Sequence, residues 1–240
     1  MIRLVERLPE LTGDALPLCR IRALWECYGA VPFLRFYVGD DGSAAAVLDG
    51  QAIVYAVASE REELSLFVSM QPDITSLLAD TETAEAVAAH WGAEVHTIPV
   101  MRCDAPQKAK QLERLSPREL YAFLQPIFPG LPPFEGWYMD VCYRERHGCC
   151  RNVAVRDGGQ VVSSAMTTAE WRTGALIGGV ATAPTHRRQG LAATCVGALA
   201  AALQGEGRQV YICPKNEGAQ RVYTALGFVV CDSVAQTERI

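Results

Sequence analysis

"LIGGVATAPTHRRQGLAA", residues 176–193, decides how this chain is to be read. An apolar run meets a corner holding two arginines, a glutamine and Gly190. An alanine-rich segment follows, in which Leu191, Cys195, Leu199 and Leu203 recur every four residues. The first run reads as a buried strand and the second as a helix with one apolar stripe. The corner is therefore a strand-to-helix junction. Backbone N–H groups in the first turn of a helix have no internal partner, and their positive end attracts an anion. Gly190 lets a ligand approach the backbone, Ala192 and Ala193 keep the approach clear, and Arg187 and Arg188 add charge at the rim. Several N–H donors converging on one point suit a pyrophosphate better than a carboxylate. The chain contains neither a GxxxxGK(S/T) phosphate loop nor a GxGxxG dinucleotide fingerprint. Taken alone, the corner fits a solvated polar turn equally well.

The surrounding elements narrow the choice. Downstream, "KNEGAQRVYTALGF" (215–228) places Asn216 at the head of a helix and Tyr223 seven residues later. Seven residues are about two turns, roughly 10 Å along the axis and nearly the same face. Singly, Asn216 is an ordinary helix cap and Tyr223 an ordinary core residue. Upstream, Ser116, Pro117 and Glu119 form a helix start, with a second helix expected over 134–148. Residues 150–183 split at "DGG" and "EWRTG" into three antiparallel strands. From 117 onward the expected order is two helices, three strands, helix, strand, helix, strand.

With those residues in place, the sequence resembles the GNAT superfamily of N-acetyltransferases. Its acyl-CoA motif, (Arg/Gln)-x-x-Gly-x-(Gly/Ala), is met by Arg187, Gly190 and Ala192. Asn216, Tyr223, Gly227 and Phe228 are similar to the next motif, an Asn followed by a helix ending in Tyr-x-x-x-Gly-Phe. The resemblance implies an α/β (α+β mixed-sheet) acyl-CoA N-acyltransferase fold over 117–240. It implies acetyl-CoA as co-substrate, a primary amine of a small molecule or peptide as acceptor, and no metal. Backbone groups of Val180, Ala181 and Thr182 would pair with the pantetheine arm, and Asn216 would hydrogen-bond it. The N–H groups from Arg188 through Gln189, Gly190, Leu191 and Ala192 to Ala193 would hold the pyrophosphate. Tyr223 would be the general acid that protonates the departing thiolate as the amine attacks the acetyl carbonyl. A backbone N–H of strand 174–182 would face the developing oxyanion. Gly178-Gly179 in that strand fits a bulge, a close ligand approach or tight packing. The strand carries no carboxylate to act as base. Glu170, Asp140, Tyr143 and a water relay are the candidates by elimination, and His186 is expected to cap or pack.

The N-terminal half begins with a helical pattern over 15–28, ended by Gly29, and strand-like runs at 33–38, 44–49, 51–58 and 63–70. Short helices are expected at 73–79 and 82–91, then a strand at 94–103. This layout suggests a degenerate GNAT-like domain over 1–103, with 104–116 as a linker. Where its acyl-CoA turn would fall, "LFVSMQPDITSLLAD" has no matching motif, and Asp73 would repel a phosphate. The 240 residues carry a net charge of −5, which argues against nucleic acid and anionic membranes as partners. Residues 1–116 hold −7 of charge and 117–240 hold +2. The nine cysteines include no CxxC, the pattern of reduced thiols in a cytoplasmic protein rather than a disulfide or zinc framework. The adjacent Cys149 and Cys150 read as the end of an element. No apolar run approaches the ~18–20 residues of a membrane span. A non-catalytic acyl-CoA sensor is the competing function, and monomer and homodimer both stay open.

Overall fold

The computed structural model describes residues 1–239. It divides into two compact units, residues 1–100 with the segment from Cys231 onward, and residues 101–230.

The first unit opens with β1 (Arg3–Val5) and α1 (Leu16–Tyr28), which has Pro17 in its first turn and stops at Gly29, at φ 59. β2 (Leu34–Val38), β3 (Ala44–Leu48) and β4 (Gln51–Tyr55) form an antiparallel meander, with β1 on its outer edge. The crossover α2 (Arg61–Met70) leads to β5 (Ser76–Ala79), parallel to β4. Then come α3 (Thr81–Trp91) and β6 (His96–Cys103). The free side of β5 is covered by residues 235–238, paired antiparallel from Ala235 opposite Ala79 to Glu238 opposite Ser76. Val54, Leu64, Val68, Leu77, Val87 and Ala235 share its core.

Two expectations fail in this unit. Residues 63–70 form a helix, not a strand. Leu64, Leu66 and Val68 alternate as in a strand, but the structure buries Leu64, Ser65, Val68 and Ser69, which is helical spacing. Residues 73–79 form no helix: Ile74 is buried in a loop, and 76–79 is the strand that pairs with β4. Serine, leucine and alanine tolerate either state, so partners decided both segments.

In the second unit, α4 (Pro117–Leu124) starts at the expected capping box. Ser116 Oγ accepts from the Glu119 N–H, and the Glu119 carboxylate accepts from the Ser116 N–H at 3.2 Å. α5 (Phe134–Arg146) follows, then the antiparallel strands β7 (Asn152–Asp157), β8 (Gln160–Trp171) and β9 (Gly174–Thr182). The crossover α6 (Leu191–Gly205) leads to β10 (Gln209–Ile212), parallel to β9. Next come α7 (Glu217–Ala225) and β11 (Phe228–Glu238), whose end is the segment already placed on β5. The free side of β10 is covered by Met101 and Arg102 at the end of β6. α6 and α7 pack on one sheet face through Cys195, Leu199, Leu203 and Tyr223, and α4 and α5 on the other through Leu120, Leu124, Trp137 and Val141. Ala165 and Met166, adjacent on β8, point to opposite faces.

Residues 104–116, expected as a linker, lie inside the second unit. The Gln107 N–H donates to Gln204 Oε1 at 2.9 Å, and its side-chain amide to the Leu226 carbonyl at 2.6 Å. Glu113 bridges to Ala154 on the open edge of β7, and Leu115 exchanges two hydrogen bonds with the Asn152 amide.

Candidate active site

β9 and β10 stay in register only from Gly174–Gln209 to Ile177–Ile212. β10 stops there and β9 continues to Thr182, so among the described residues the β10-facing edge of 178–182 has no strand beside it. At the same level β9 bulges against β8: Ser164 pairs with Ala181 and Met166 with Gly178, which leaves Gly179 and Val180 opposite Ala165 alone. Gly179 sits at φ 54, and a Cβ there would lie 2.7 Å from Met166 Cγ, so both conformation and packing demand glycine. Val180, Ala181 and Thr182 therefore lie on an open backbone edge, with the Ala181 carbonyl accepting from Ser163 Oγ at 2.9 Å.

The strand ends in a short 3-10 turn, Pro184–His186. His186 is held there by Thr185 at 2.9 Å and by Asp157 at 3.2 Å, a positioning role. Arg187 is exposed and its Nε donates a long bond, 3.4 Å, to the Thr182 carbonyl. Arg188 (φ 63) and Gly190 (φ 76) are both left-handed, which curls the backbone into a concave run of N–H groups leading into α6. Gln189 is exposed, Leu191, Ala192 and Ala193 are half-buried, and nothing lies within 4 Å of a Cβ built on Gly190. The structure thus brings Arg188 to Ala193 into one open, amide-lined turn.

Asn216 caps α7, its Oδ1 accepting from the Ala219 N–H at 2.9 Å, so its amide nitrogen is the group left to donate. Tyr223 is 6% exposed and sits in the same core cluster as Ile177, Cys195 and Ile212, with Val180 packed against it. Burial, together with neighbouring Cys213, pushes the Tyr223 phenol up to about 12. It therefore holds its proton at neutral pH and is a donor. Cys213 was missed in the sequence; the signal was its place directly after the strand 209–212.

The base candidates fare differently. Glu170 is 3% exposed and its carboxylate is used up. Arg151 donates to both oxygens at 2.9 and 2.8 Å, Arg208 at 2.8 Å and the Thr167 hydroxyl at 2.7 Å. It is a structural clamp, not a free base. Asp140 pairs with Arg144 at 2.9 Å, and the Tyr143 ring stacks on His147 with centroids 4.0 Å apart. Cys150 donates its thiol to the Thr167 carbonyl and is pushed up to about 11 by burial, so the adjacent pair has no reactive thiolate at that position. Among the described residues no three His, Cys, Asp or Glu side chains are grouped to hold a metal ion.

The acetyltransferase (GNAT) family pattern matches residues 117–228. Those residues form a GNAT acetyltransferase domain. A GCN5-related N-acetyltransferase from Sphaerobacter thermophilus superposes with a TM-score of 0.62 at 19% identity, over 89% of this chain and 82% of its own. One from Kribbella flavida gives 0.61 at 17% identity, over 93% and 94%. A tandem GNAT protein from the clavulanic acid biosynthesis pathway gives 0.53 at 19% identity, over 87% and 84%. No curated protein matches the sequence. The GNAT-type fold likeness thus extends beyond the domain to most of the chain, and the fold is that of an acyltransferase. An acyl-CoA fits what the domain offers: an unpaired backbone edge, an amide-lined turn and a protonated phenol in one neighbourhood. No described helix is long and apolar enough to cross a membrane.

Proposed function

We propose that the second unit transfers an acetyl group from acetyl-CoA to a primary amine of a small molecule or peptide in the cytoplasm. The observation that carries this reading is the parting of β9 from β10 at Gly178, beside a buried, protonated Tyr223. Val180, Ala181 and Thr182 would align the pantetheine arm with their open backbone edge. The N–H groups of Arg188 to Ala193 would hold the pyrophosphate, and the Asn216 amide would donate to the arm. When bound, acetyl-CoA supplies the activated acyl group. Tyr223 Oη would supply the proton that the leaving sulfur needs, and the bulged backbone at Gly179–Val180 would offer an N–H to the carbonyl charge.

A non-catalytic acyl-CoA sensor remains the second reading, favoured by one observation: Glu170, the sole carboxylate on β8 and β9, is locked. Thiol release from acetyl-CoA across a panel of amines separates the two. Transfer predicts turnover with at least one amine class, and Tyr223→Phe lowering kcat about 100-fold with little change in acetyl-CoA affinity. Saturable acetyl-CoA binding without turnover would favour the sensor, and absence of binding would remove both.

The first unit supports a degenerate GNAT-like half. Its run β2–β3–β4–α2–β5–α3 repeats the layout β7–β8–β9–α6–β10–α7. Its strand-to-helix junction falls at 56–60, not at the later stretch expected from the sequence, and has no glycine. Glu60 occupies it, 5% exposed, accepting from the Asp41 and Ser43 N–H groups at 3.0 and 3.1 Å. Burial opposes ionisation, but those bonds outweigh it and hold the carboxyl below its usual range. A fixed negative charge stands where a phosphate would bind.

A further inference from the structure

An open groove of about 740 Å³ lies within the second unit. Its floor is one face of α6, with the small residues Ala193, Thr194, Gly197 and Ala198, and one end is the close of α7 at Thr224–Gly227. Its third wall is the segment 105–110. That wall is held in place by Gln107 and by the Gln204 amide, which donates to the Ala105 carbonyl at 3.0 Å. The chain has only three lysines, and two of them, Lys108 and Lys110, line this groove. Neither forms an ion pair among the described residues, and no carboxylate lines the groove. The groove meets the amide-lined turn at Ala193, which belongs to both.

We infer that the segment 105–110 is the distal wall of the nucleotide site, and that Lys108 and Lys110 take the 3′-phosphate of CoA. This rests on the acyl-CoA reading above. A volume of several hundred Å³ suits a nucleotide-sized ligand. A molecule anchored by its pyrophosphate at Arg188–Ala193 has its adenosine end to place, and the adjoining groove offers two lysines outside any ion pair and a floor of small residues, on which Gln107 and Leu226 rest at Gly197. The wall is fixed before binding, so little ordering is needed when the phosphate arrives.

The test is calorimetric titration of the full chain with CoA and with 3′-dephospho-CoA, for wild type and for Lys108→Ala/Lys110→Ala. Wild type is expected to bind CoA about tenfold more tightly than dephospho-CoA. The double variant should bind the two equally, with dephospho-CoA affinity unchanged and the preference in wild type shrinking as salt rises. Both lysines are exposed, so the unliganded melting temperature should not move. A preference retained by the double variant, or absent in wild type, overturns the assignment. Failure of wild type to bind either nucleotide instead overturns the acyl-CoA reading, and this inference with it.

Discussion

At the residue scale, the turn's chemistry divides unequally between its arginines and its glycine. Arg187 draws attention in the sequence, yet it is exposed and makes one long bond to Thr182. Gly190 stands at φ 76, where a side chain is strained even though the space beside it is open. A β-branched residue there must pull the backbone out of the left-handed region, a cost of about 1–2 kcal/mol before any ligand is approached. Gly190→Val is therefore expected to weaken CoA binding about 30-fold or more. Arg187→Ala should weaken it only about threefold. A titration ranking them the other way would show that side-chain charge, not backbone shape, does the holding. Gly190 and Tyr223 could be named as candidates from the sequence because the motifs that single them out are local spacings. The fate of Glu170 was not: its partners Arg151 and Arg208 lie 19 and 38 residues away in the chain, and only the fold brings them together.

At the element scale, what was legible was whatever carries a local signal. α4 begins at Ser116 because serine, proline and Glu119 satisfy its first N–H groups without help from elsewhere. Pro72 separates 63–70 from 73–79 but fixes the type of neither, so alternation misled for one and short apolar spacing for the other. The α4 start also makes a pH-dependent prediction. Glu119 accepts from Arg156 at 2.8 Å and from Ser116, and the two together, Arg156 first, hold its carboxyl down at about 2. A carboxyl depressed from 4.5 in this way favours the folded state above about 4.5, and the contribution disappears as pH falls toward 2. Glu119→Gln keeps the capping geometry while removing the charge. Its melting temperature should lie below wild type at pH 7, and the two curves should converge between pH 4.5 and 2. A gap that persists at the lowest pH would mean that the loss is of packing, not of charge.

At the scale of the whole molecule, each unit is completed by a strand that follows the other unit's last helix. Residues 101–102, after α3, pair with β10, and residues 235–238, after α7, pair with β5. Periodicity says that 94–103 and 228–238 are strands; it carries no information on which edge each one joins, so this exchange was not readable from the sequence. Its consequence is that the N-terminal hundred residues do not contain their own full core. Ala235 and Thr237 are buried in that unit, and the Arg239 guanidinium lies 5.1 Å over the Trp91 ring and donates to the Gln71 carbonyl at 3.1 Å. Removing everything from Cys231 onward leaves β5 with an unpaired edge and opens the core beneath it. Hydrogen exchange on that truncated chain should show protection lost across residues 51–79, although none of them has been altered. Residues 174–212, whose partners all precede the cut, should keep most of theirs. Undiminished protection at 76–79 would mean that the closing strand is decoration on a unit that folds without it.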